Sequence, residues 1–247
     1  MIYDYLLKTA KAKGGCFLVL LDPDRMDPSR ARQTGKLIAE SGADAILFGT
    51  SLLMSGSIDP LIKSLKQSFS KPVIIFPGSA YQVSTHADAI LFMSLISGRN
   101  ANLLIEEQVK AAPMVKRSGL ETIPTGYMLI ESGKLTSANY ISNTLPIPRD
   151  KPEIAAVHAL AAKLLGMKLI YLDAGSGALN PVPEAMIAGV AKHAGLPVFV
   201  GGGIKTPEDA AARVKAGAAA VVIGNILEKN LGLAKQFART IHFRHRT

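Results

Sequence analysis

The amino-acid sequence predicts an α/β protein, a modified TIM (β/α)8 barrel whose third helix is missing or replaced by an extended segment. Apolar runs of strand length alternate with helical patterns along the chain, which is typical of a parallel sheet built from βα units. Eight such runs fit into 247 residues, and one barrel of this kind needs about 250. Only Pro77–Asp88 separates the third run from the fourth, barely enough for a crossover.

The first half of the chain predicts four strands, each from a short apolar run: Cys16–Leu21, Ala45–Phe48, Pro72–Phe76 and Ala89–Met93. Two helices connect the first three of these strands. The first helix is Ser29–Ser41, for which Asp27 and Pro28 form a start signal, and the second is Ser57–Phe69.

The second half predicts four more strands and five helices. Its first strand is Glu121–Ile130, which Pro124 and Gly126 should make irregular, and the last three begin at Lys168, Val198 and Ala220. The helices are Asn100–Arg117, Lys151–Leu165, Pro183–Ala194, Thr206–Ala216 and Ile226–Thr240, with a polar loop at Ser132–Asp150. No linker or repeat divides the chain, so we expect residues 1–247 to form a single domain.

The composition favours a cytoplasmic protein. Hydrophobic residues make up 48% of the chain and charged residues 19%, enough apolar material for a substantial core. The lone Cys16 excludes an internal disulfide and a cysteine-rich metal site. We expect neither a membrane span nor a signal peptide, because no apolar run is long enough and the first residues lack the signal pattern.

The formal net charge of +9 favours an anionic partner such as phosphate, diphosphate, nucleic acid or an anionic membrane surface. The basic residues form no dense stripe interleaved with aromatic residues, so we do not expect nucleic-acid binding. None of the five histidines shows metal-ligand spacing, and we expect no catalytic role for them: His86, His158, His193, His242 and His245.

The last three predicted strands each end in glycine, which points to a phosphate site. The three turns contain Asp173–Gly177, Gly201–Gly203 and Gly224–Asn225. Such turns lie at the same end of a barrel, where backbone N–H groups and helix N-termini bind oxyanions. Ser176 would add a hydroxyl donor. The alternative is that glycine only terminates the strands.

Two further strand ends suggest a metal site. The first strand ends in Leu21-Asp22-Pro23-Asp24, and the second is followed by Gly49-Thr50-Ser51. Mg²⁺ is held in proteins by one or two carboxylates together with substrate phosphate oxygens. The alternative is an Asp-Pro-Asp turn with capping hydroxyls.

Asp173 and Tyr127 are the candidate catalytic residues. A carboxylate beside a phosphate loop would repel phosphate, so Asp173 is better suited to accept a hydrogen bond or a proton from a substrate hydroxyl. The hydroxyl of Tyr127, on the fifth strand, would donate to the ligand or to backbone. The alternative for Asp173 is a helix cap or a loop salt bridge.

Taken together, these residues resemble the geranylgeranylglyceryl phosphate synthase family, a group of (β/α)8 prenyltransferases. The resemblance runs from the first strand to the eighth and includes the shortened segment before the fourth strand. The matching elements are Leu21-Asp22-Pro23, Phe48-Gly49-Thr50-Ser51, Gly126-Tyr127, Tyr171–Gly177, Gly201–Lys205 and Gly224-Asn225.

The resemblance implies transfer of a polyprenyl group, geranylgeranyl above all, from its diphosphate to sn-glycerol 1-phosphate. Asp22 and Ser51 would bind Mg²⁺, and Asp173 would contact the attacking hydroxyl. The residues that would hold glycerol phosphate are Tyr171, Leu172, Asp173, Ala174, Gly175, Ser176, Gly177, Gly202, Gly203, Gly224 and Asn225. Many family members have glutamate where this chain has Asp173.

The lipid product and the basic charge suggest at most peripheral membrane contact, and we expect a homo-oligomer. An apolar groove must hold the prenyl tail, and its candidate walls are Ile75, Phe76, Tyr81, Phe92, Met93, Leu95, Ile96 and Leu103. The alternative is that these residues belong to the ordinary core of the barrel. Two alternatives stay open: an isomerase or lyase with the same phosphate site, and a non-catalytic protein that binds phosphorylated ligands.

Overall fold

A closed barrel of eight parallel strands forms the centre of the protein, as predicted. The structure is a computed structural model and describes residues 1–54 and 56–243. Each strand pairs with the next, and β8 pairs with β1 through registers such as Phe17 with Val221. The strands are β1 (Cys16–Leu21), β2 (Ala45–Phe48), β3 (Val73–Ile75), β4 (Ala89–Leu95), β5 (Glu121–Leu129), β6 (Leu169–Asp173), β7 (Val198–Gly201) and β8 (Ala220–Ile223).

Helices surround this barrel and connect most of its strands. They are α1 (Ile2–Lys13), α2 (Pro28–Ser41), α3 (Asp59–Lys66), α4 (Glu107–Ser118), α5 (Ser137–Ser142), α6 (Pro152–Leu164), α7 (Glu184–Ala194), α8 (Pro207–Lys215), α9 (Asn225–Lys229) and α10 (Ala234–Ile241). Residues 76–88, between β3 and β4, form turns and bends without a helix. Within the described residues, none of the helices has both the length and the apolar composition needed to cross a bilayer.

Alternation along the strands separates two apolar layers. In β1, Phe17 and Val19 face the surrounding helices, while Cys16 and Leu18 face the barrel interior. The interior cluster also contains Leu6 of α1, so this helix covers the amino-terminal end of the barrel. A large cavity lies at the opposite end of the barrel, which is formed by the carboxyl ends of the strands.

The structure differs from the prediction in three places. Helix α1 was not predicted, and the predicted polar loop Ser132–Asp150 contains α5, which a capping box between Thr136 and Asn139 stabilises. The predicted helix Ile226–Thr240 is broken into α9 and α10, because the side chain of Asn230 accepts a hydrogen bond from the Gly232 N–H and caps a 3-10 turn.

A buried carboxylate ties the amino-terminal end of the barrel together. Asp44 is 0% exposed and accepts hydrogen bonds from the Phe17 N–H (2.9 Å), Lys13 Nζ (2.5 Å) and His242 Nε2 (2.7 Å). Burial acts to raise the pKa of Asp44, but these hydrogen bonds outweigh it and lower the pKa. The contacts link β2 to β1, α1 and the end of α10, which gives Asp44 a structural role.

Candidate active site

A cavity of about 1330 Å³ opens at the carboxyl end of the barrel. Residues that follow or end every strand line it, from Asp22 after β1 to Gly224 after β8. The predicted site residues that line it are Asp22, Ser51, Tyr127, Tyr171, Asp173, Gly175, Ser176, Gly177, Gly202, Gly203, Gly224 and Asn225. The structure thus brings both predicted catalytic residues, the two metal candidates and the glycine turns into one cavity.

Leu172 and Ala174 do not line the cavity. Both side chains are buried in the layer between the strands and the helices. Alternation along β6 explains this, because Tyr171 and Asp173 point to the interior and their neighbours point away. Their side chains therefore pack on the side of the β6 strand end that faces away from the cavity.

The glycine turns pack against each other so closely that Gly202 has no room for a side chain. Its φ is 79°, and an added Cβ would lie 2.6 Å from the Gly175 nitrogen and 2.7 Å from Asp173 Oδ1. Glycine is therefore required at Gly202 for both its backbone conformation and the available space. Ser176 Oγ donates to Asn225 Oδ1 (3.0 Å), which links the turns after β6 and β8.

Asp173 is held through both carboxylate oxygens. The Gly175 N–H donates to Oδ1 (2.7 Å), and the Tyr127 hydroxyl donates to Oδ2 (2.6 Å). Burial raises the pKa of Asp173, although both hydrogen bonds act to lower it. Each oxygen keeps a second lone pair, so the carboxylate can accept a further hydrogen bond or a proton.

Three aromatic rings form the floor beneath this carboxylate. Phe76 stacks on Tyr171 at 5.0 Å between ring centroids, and Tyr127 lies 5.6 Å from Tyr171. Burial and the neighbouring Asp173 charge raise the pKa of both tyrosines well above its ordinary value. Both hydroxyls therefore stay protonated at neutral pH, and Tyr127 acts as a hydrogen-bond donor.

The candidate metal residues Asp22 and Ser51 face the same cavity. Asp22 Oδ1 accepts a hydrogen bond from the Asp24 N–H (3.0 Å), while Oδ2 lies 3.8 Å from Arg25 Nε, beyond hydrogen-bond distance. Burial raises the pKa of Glu228, the paired Arg25 lowers it, and the charge of Asp22 adds to the increase.

Asp22 and Ser51 offer oxygen atoms of the kind that bind Mg²⁺. A carboxylate with one oxygen outside hydrogen-bond distance of its neighbours and a hydroxyl in the same cavity are hard oxygen donors of the type that Mg²⁺ prefers. No three His, Cys, Asp or Glu side chains in the described part of the chain are grouped as a complete metal site. The residues therefore fit an ion that also takes oxygens from substrate phosphates.

Five of the eight predicted walls of the apolar groove line the cavity: Phe76, Phe92, Met93, Leu95 and Leu103. The prediction was wrong for Ile75 and Ile96, which pack in the layer between the strands and the helices. Tyr81 is 86% exposed and also lies outside the cavity.

Three of the described histidines have side-chain partners outside the cavity. The Nδ1 atoms of His158 and His193 each lie 2.8 Å from the carbonyl oxygen four residues earlier, and His242 contacts Asp44. None of the described histidines lines the cavity. His245 lies outside the described residues.

Lys134 lines the cavity and was not predicted as a site residue. It lies in the loop between β5 and α6. An added Cβ on Gly177 would be 3.6 Å from Lys134 Nζ and 3.9 Å from Asn225 Nδ2. The available signal was a basic residue in the loop that follows a barrel strand, two residues before the Thr136–Asn139 capping pattern.

The chain is similar to proteins of known family over nearly its whole length. A model of the PcrB family matches residues 8–241. The geranylgeranylglyceryl phosphate synthase of Chitinophaga pinensis is 46% identical over 233 residues, which cover 94% of this chain and 92% of that protein. That of Spirosoma linguale is 46% identical over 241 residues, 98% and 95% of the two chains.

A solved structure has the same architecture. The crystal structure of (S)-3-O-geranylgeranylglyceryl phosphate synthase from Thermoplasma acidophilum, in complex with its substrate sn-glycerol-1-phosphate, superposes with a TM-score of 0.92. The two sequences are 32% identical, and the match covers 98% of each chain.

Proposed function

The chain belongs to the PcrB family, and from this we propose that it is a prenyltransferase that joins sn-glycerol 1-phosphate to a polyprenyl group, preferentially geranylgeranyl. The reaction forms an ether with the sn-3 hydroxyl and releases diphosphate. The observation that carries the proposal is the single cavity in which glycine turns, the Asp173 carboxylate and an apolar wall meet.

Glycerol phosphate binds with its phosphate at the glycine turns. Gly177, Gly203 and Gly224 supply a surface without side chains, against which a phosphate can approach the backbone. The Gly175 N–H already donates to Asp173, so Gly175 contributes mainly by fixing that carboxylate. The glycerol hydroxyl then points from the phosphate toward Asp173.

Asp173 orients the attacking hydroxyl and receives its proton as the ether bond forms. Its pKa is raised by burial, which makes it a stronger base than an exposed aspartate. The hydrogen bond from Tyr127 holds Oδ2 in place. Much of the rate enhancement then comes from positioning the hydroxyl beside the allylic carbon.

Mg²⁺ is the proposed cofactor, and Asp22 and Ser51 would hold it together with the diphosphate. When bound, the ion would neutralise charge on the leaving group. The protein itself places Asp22 between β1 and Arg25 and keeps Ser51 at the cavity surface. Phe92, Met93 and Leu103 would exclude water from the prenyl chain.

Binding titrations distinguish this proposal from its two alternatives. The wild-type protein should bind sn-glycerol 1-phosphate more tightly than sn-glycerol 3-phosphate and should form an extractable ether when prenyl diphosphate and Mg²⁺ are added. An isomerase or lyase would bind phosphate without giving an ether. A binding protein would take up the ligand with no turnover under any condition.

The proposed assembly is a homo-oligomer that uses the outer face of α6. This helix is apolar on both sides: its alanines pack on the protein, while large side chains on the other side are exposed. The exposed residues on and just after the helix are Ile154, Val157, Leu160, Leu164 and Leu165. Exposed apolar side chains grouped on one helix are typical of an interface, and twofold dimers are the commonest assembly. Val157→Glu should shift the mass in sedimentation equilibrium toward the monomer, while Leu37→Glu on α2 should not.

The proposed membrane contact is peripheral and uses the rim of the cavity. Exposed large apolar side chains are concentrated in the loops after β2, β3, β5 and β6: Leu52, Met54, Tyr81, Leu135, Tyr140, Ile141, Leu145 and Leu179. Lys134, Lys205 and Lys229 line the cavity at the same end of the barrel. Leu145→Ser should weaken co-sedimentation with anionic vesicles, and Leu37→Ser should leave it unchanged. A cytoplasmic location stays a prediction.

A further inference from the structure

The loop from Glu131 to Lys134 places the ammonium group of Lys134 beside the glycine turn after β6. Lys134 Nζ, Asn225 Nδ2 and Gly177 are close together, since both nitrogen atoms lie within 3.9 Å of a Cβ built on Gly177. The hydroxyl of Ser176 bonds the same Asn225 side chain. Two donor groups, an ammonium and a side-chain amide, therefore lie close to one point in the cavity.

Loop 131–134 is fixed from both sides, so this placement is determined by the fold. The Asn180 backbone N–H (3.0 Å) and side-chain Nδ2 (3.3 Å) both donate to the Ser132 carbonyl. The Ser132 hydroxyl in turn donates to the Lys134 carbonyl (3.1 Å), and the Gly133 N–H donates to Glu131. The backbone of Lys134 is thus held next to the β6–α7 loop, while its side chain is exposed.

Within the described residues, Lys134 forms no ion pair. Two other cations of the cavity are already bound: Lys205 Nζ donates to the Leu179 carbonyl (2.8 Å), and Arg25 pairs with Glu228. A lysine without a carboxylate partner beside oxyanion-binding backbone has all three N–H donors available for a ligand.

We infer that Lys134 is a substrate-binding residue that contacts the phosphate of sn-glycerol 1-phosphate beside the glycine turn after β6. This inference rests on the proposed function and adds a residue to its substrate site. Asp22 and Ser51, the proposed holders of the diphosphate end, follow β1 and β2, whereas Lys134 Nζ lies beside Gly177 in the turn after β6. Lys134 therefore acts on the acceptor substrate and leaves the prenyl donor unaffected.

The test is steady-state kinetics and calorimetry on Lys134→Ala, Lys134→Arg and the control Lys36→Ala, an exposed lysine on the outer helix α2. A charge-assisted hydrogen bond predicts that Lys134→Ala raises both KM and Kd for glycerol phosphate by roughly 10- to 100-fold. The KM for the prenyl diphosphate should change by less than about twofold, since its site lies elsewhere. Lys134→Arg should retain most of the affinity.

Inorganic phosphate provides a second readout that does not depend on turnover. It should compete with glycerol phosphate in the wild-type protein and lose affinity by a similar factor in Lys134→Ala. Unchanged binding in Lys134→Ala, or an equal rise in KM for both substrates, would overturn the inference while leaving the prenyltransferase proposal intact. Failure of the wild-type protein to bind glycerol phosphate would overturn both.

Discussion

The hydroxyl of Tyr127 donates a 2.6 Å hydrogen bond to Oδ2 of Asp173, across two neighbouring strands of the barrel. The β5–β6 register pairs Tyr127 with Tyr171 and Leu129 with Asp173, which brings the two side chains together in the interior. With the Gly175 N–H on the other oxygen, this bond fixes the carboxylate plane. The arrangement makes Asp173 a directed acceptor for a substrate hydroxyl.

Removing the Tyr127 hydroxyl should change both the rate and its pH dependence. The hydrogen bond from Tyr127 acts to lower the pKa of Asp173, so Tyr127→Phe should raise that pKa further. The acidic limb of the kcat profile should then move to higher pH, and kcat at neutral pH should fall by roughly 10-fold. Tyr3→Phe, which loses a hydroxyl bond to Lys168 at the other end of the barrel, should leave the profile unchanged.

Replacing the Asp173 carboxylate should separate catalysis from binding. Asp173→Asn keeps the size of the side chain but cannot accept the hydroxyl proton, so kcat should fall by at least about 100-fold. Calorimetric affinity for glycerol phosphate should change by only a few-fold. Asp173→Glu, which places the carboxylate one methylene further out, should retain activity. Full activity in Asp173→Asn would exclude a proton-accepting role.

A side chain at Gly202 should abolish glycerol phosphate binding. Gly202→Ala combines a positive φ with a Cβ only 2.6 Å from the Gly175 nitrogen. Gly119→Ala is the matched control, because its φ is 69° and nothing lies within 4 Å of the added Cβ. Urea denaturation should show a loss of about 1 kcal/mol from the backbone conformation in Gly119→Ala and a larger loss in Gly202→Ala, where the close contacts add to it. Only Gly202→Ala should lose binding.

The carboxylate of Asp22 should be required for turnover and not for acceptor binding. Asp22→Ala removes the only carboxylate among the proposed Mg²⁺ ligands, so transfer should fall to background while glycerol phosphate still binds. Calorimetric titration of Mg²⁺ in the presence of diphosphate should show binding to the wild-type protein and none to the variant. Retained turnover in Asp22→Ala would exclude the Mg²⁺ proposal.

Asp44 should stabilise the fold in a pH-dependent way. Its pKa is lowered in the folded protein, so its contribution is present above the unfolded value near 4 and is lost as pH falls through the folded pKa. Asp44→Asn should cost about 3 kcal/mol at pH 7, because a buried hydrogen-bonded ion pair is broken. The difference from wild type should shrink below about pH 4, whereas Asp150→Asn at an exposed position should show little effect at either pH.

The barrel could be predicted because each strand is a continuous apolar run and each glycine turn is visible in the sequence. Helices α1 and α5 could not: α1 is stabilised by tertiary contacts such as Tyr5 with the Asp44 carbonyl, and α5 has only six residues. Short helices depend on caps and packing more than on periodicity.

The sequence predicted a set of candidate site residues, but it did not predict the hydrogen bonds between them. Tyr127 and Asp173 are 46 positions apart, and their hydrogen bond depends on the β5–β6 register. The apolar walls were partly wrong because successive side chains of a strand point to opposite faces, which places Phe76 in the cavity and Ile75 against the helices. Lys134 was missed because its position depends on the folding of the loop that contains it.

The central claim is prenyl transfer to sn-glycerol 1-phosphate, and a radiolabel assay tests it most directly. Purified protein would be incubated with Mg²⁺, geranylgeranyl diphosphate and labelled sn-glycerol 1-phosphate, with sn-glycerol 3-phosphate and EDTA as controls. An organic-extractable phosphate product should form from sn-glycerol 1-phosphate and not from sn-glycerol 3-phosphate, and EDTA should abolish it. No product at any prenyl length, despite measurable glycerol phosphate binding, would contradict the central claim.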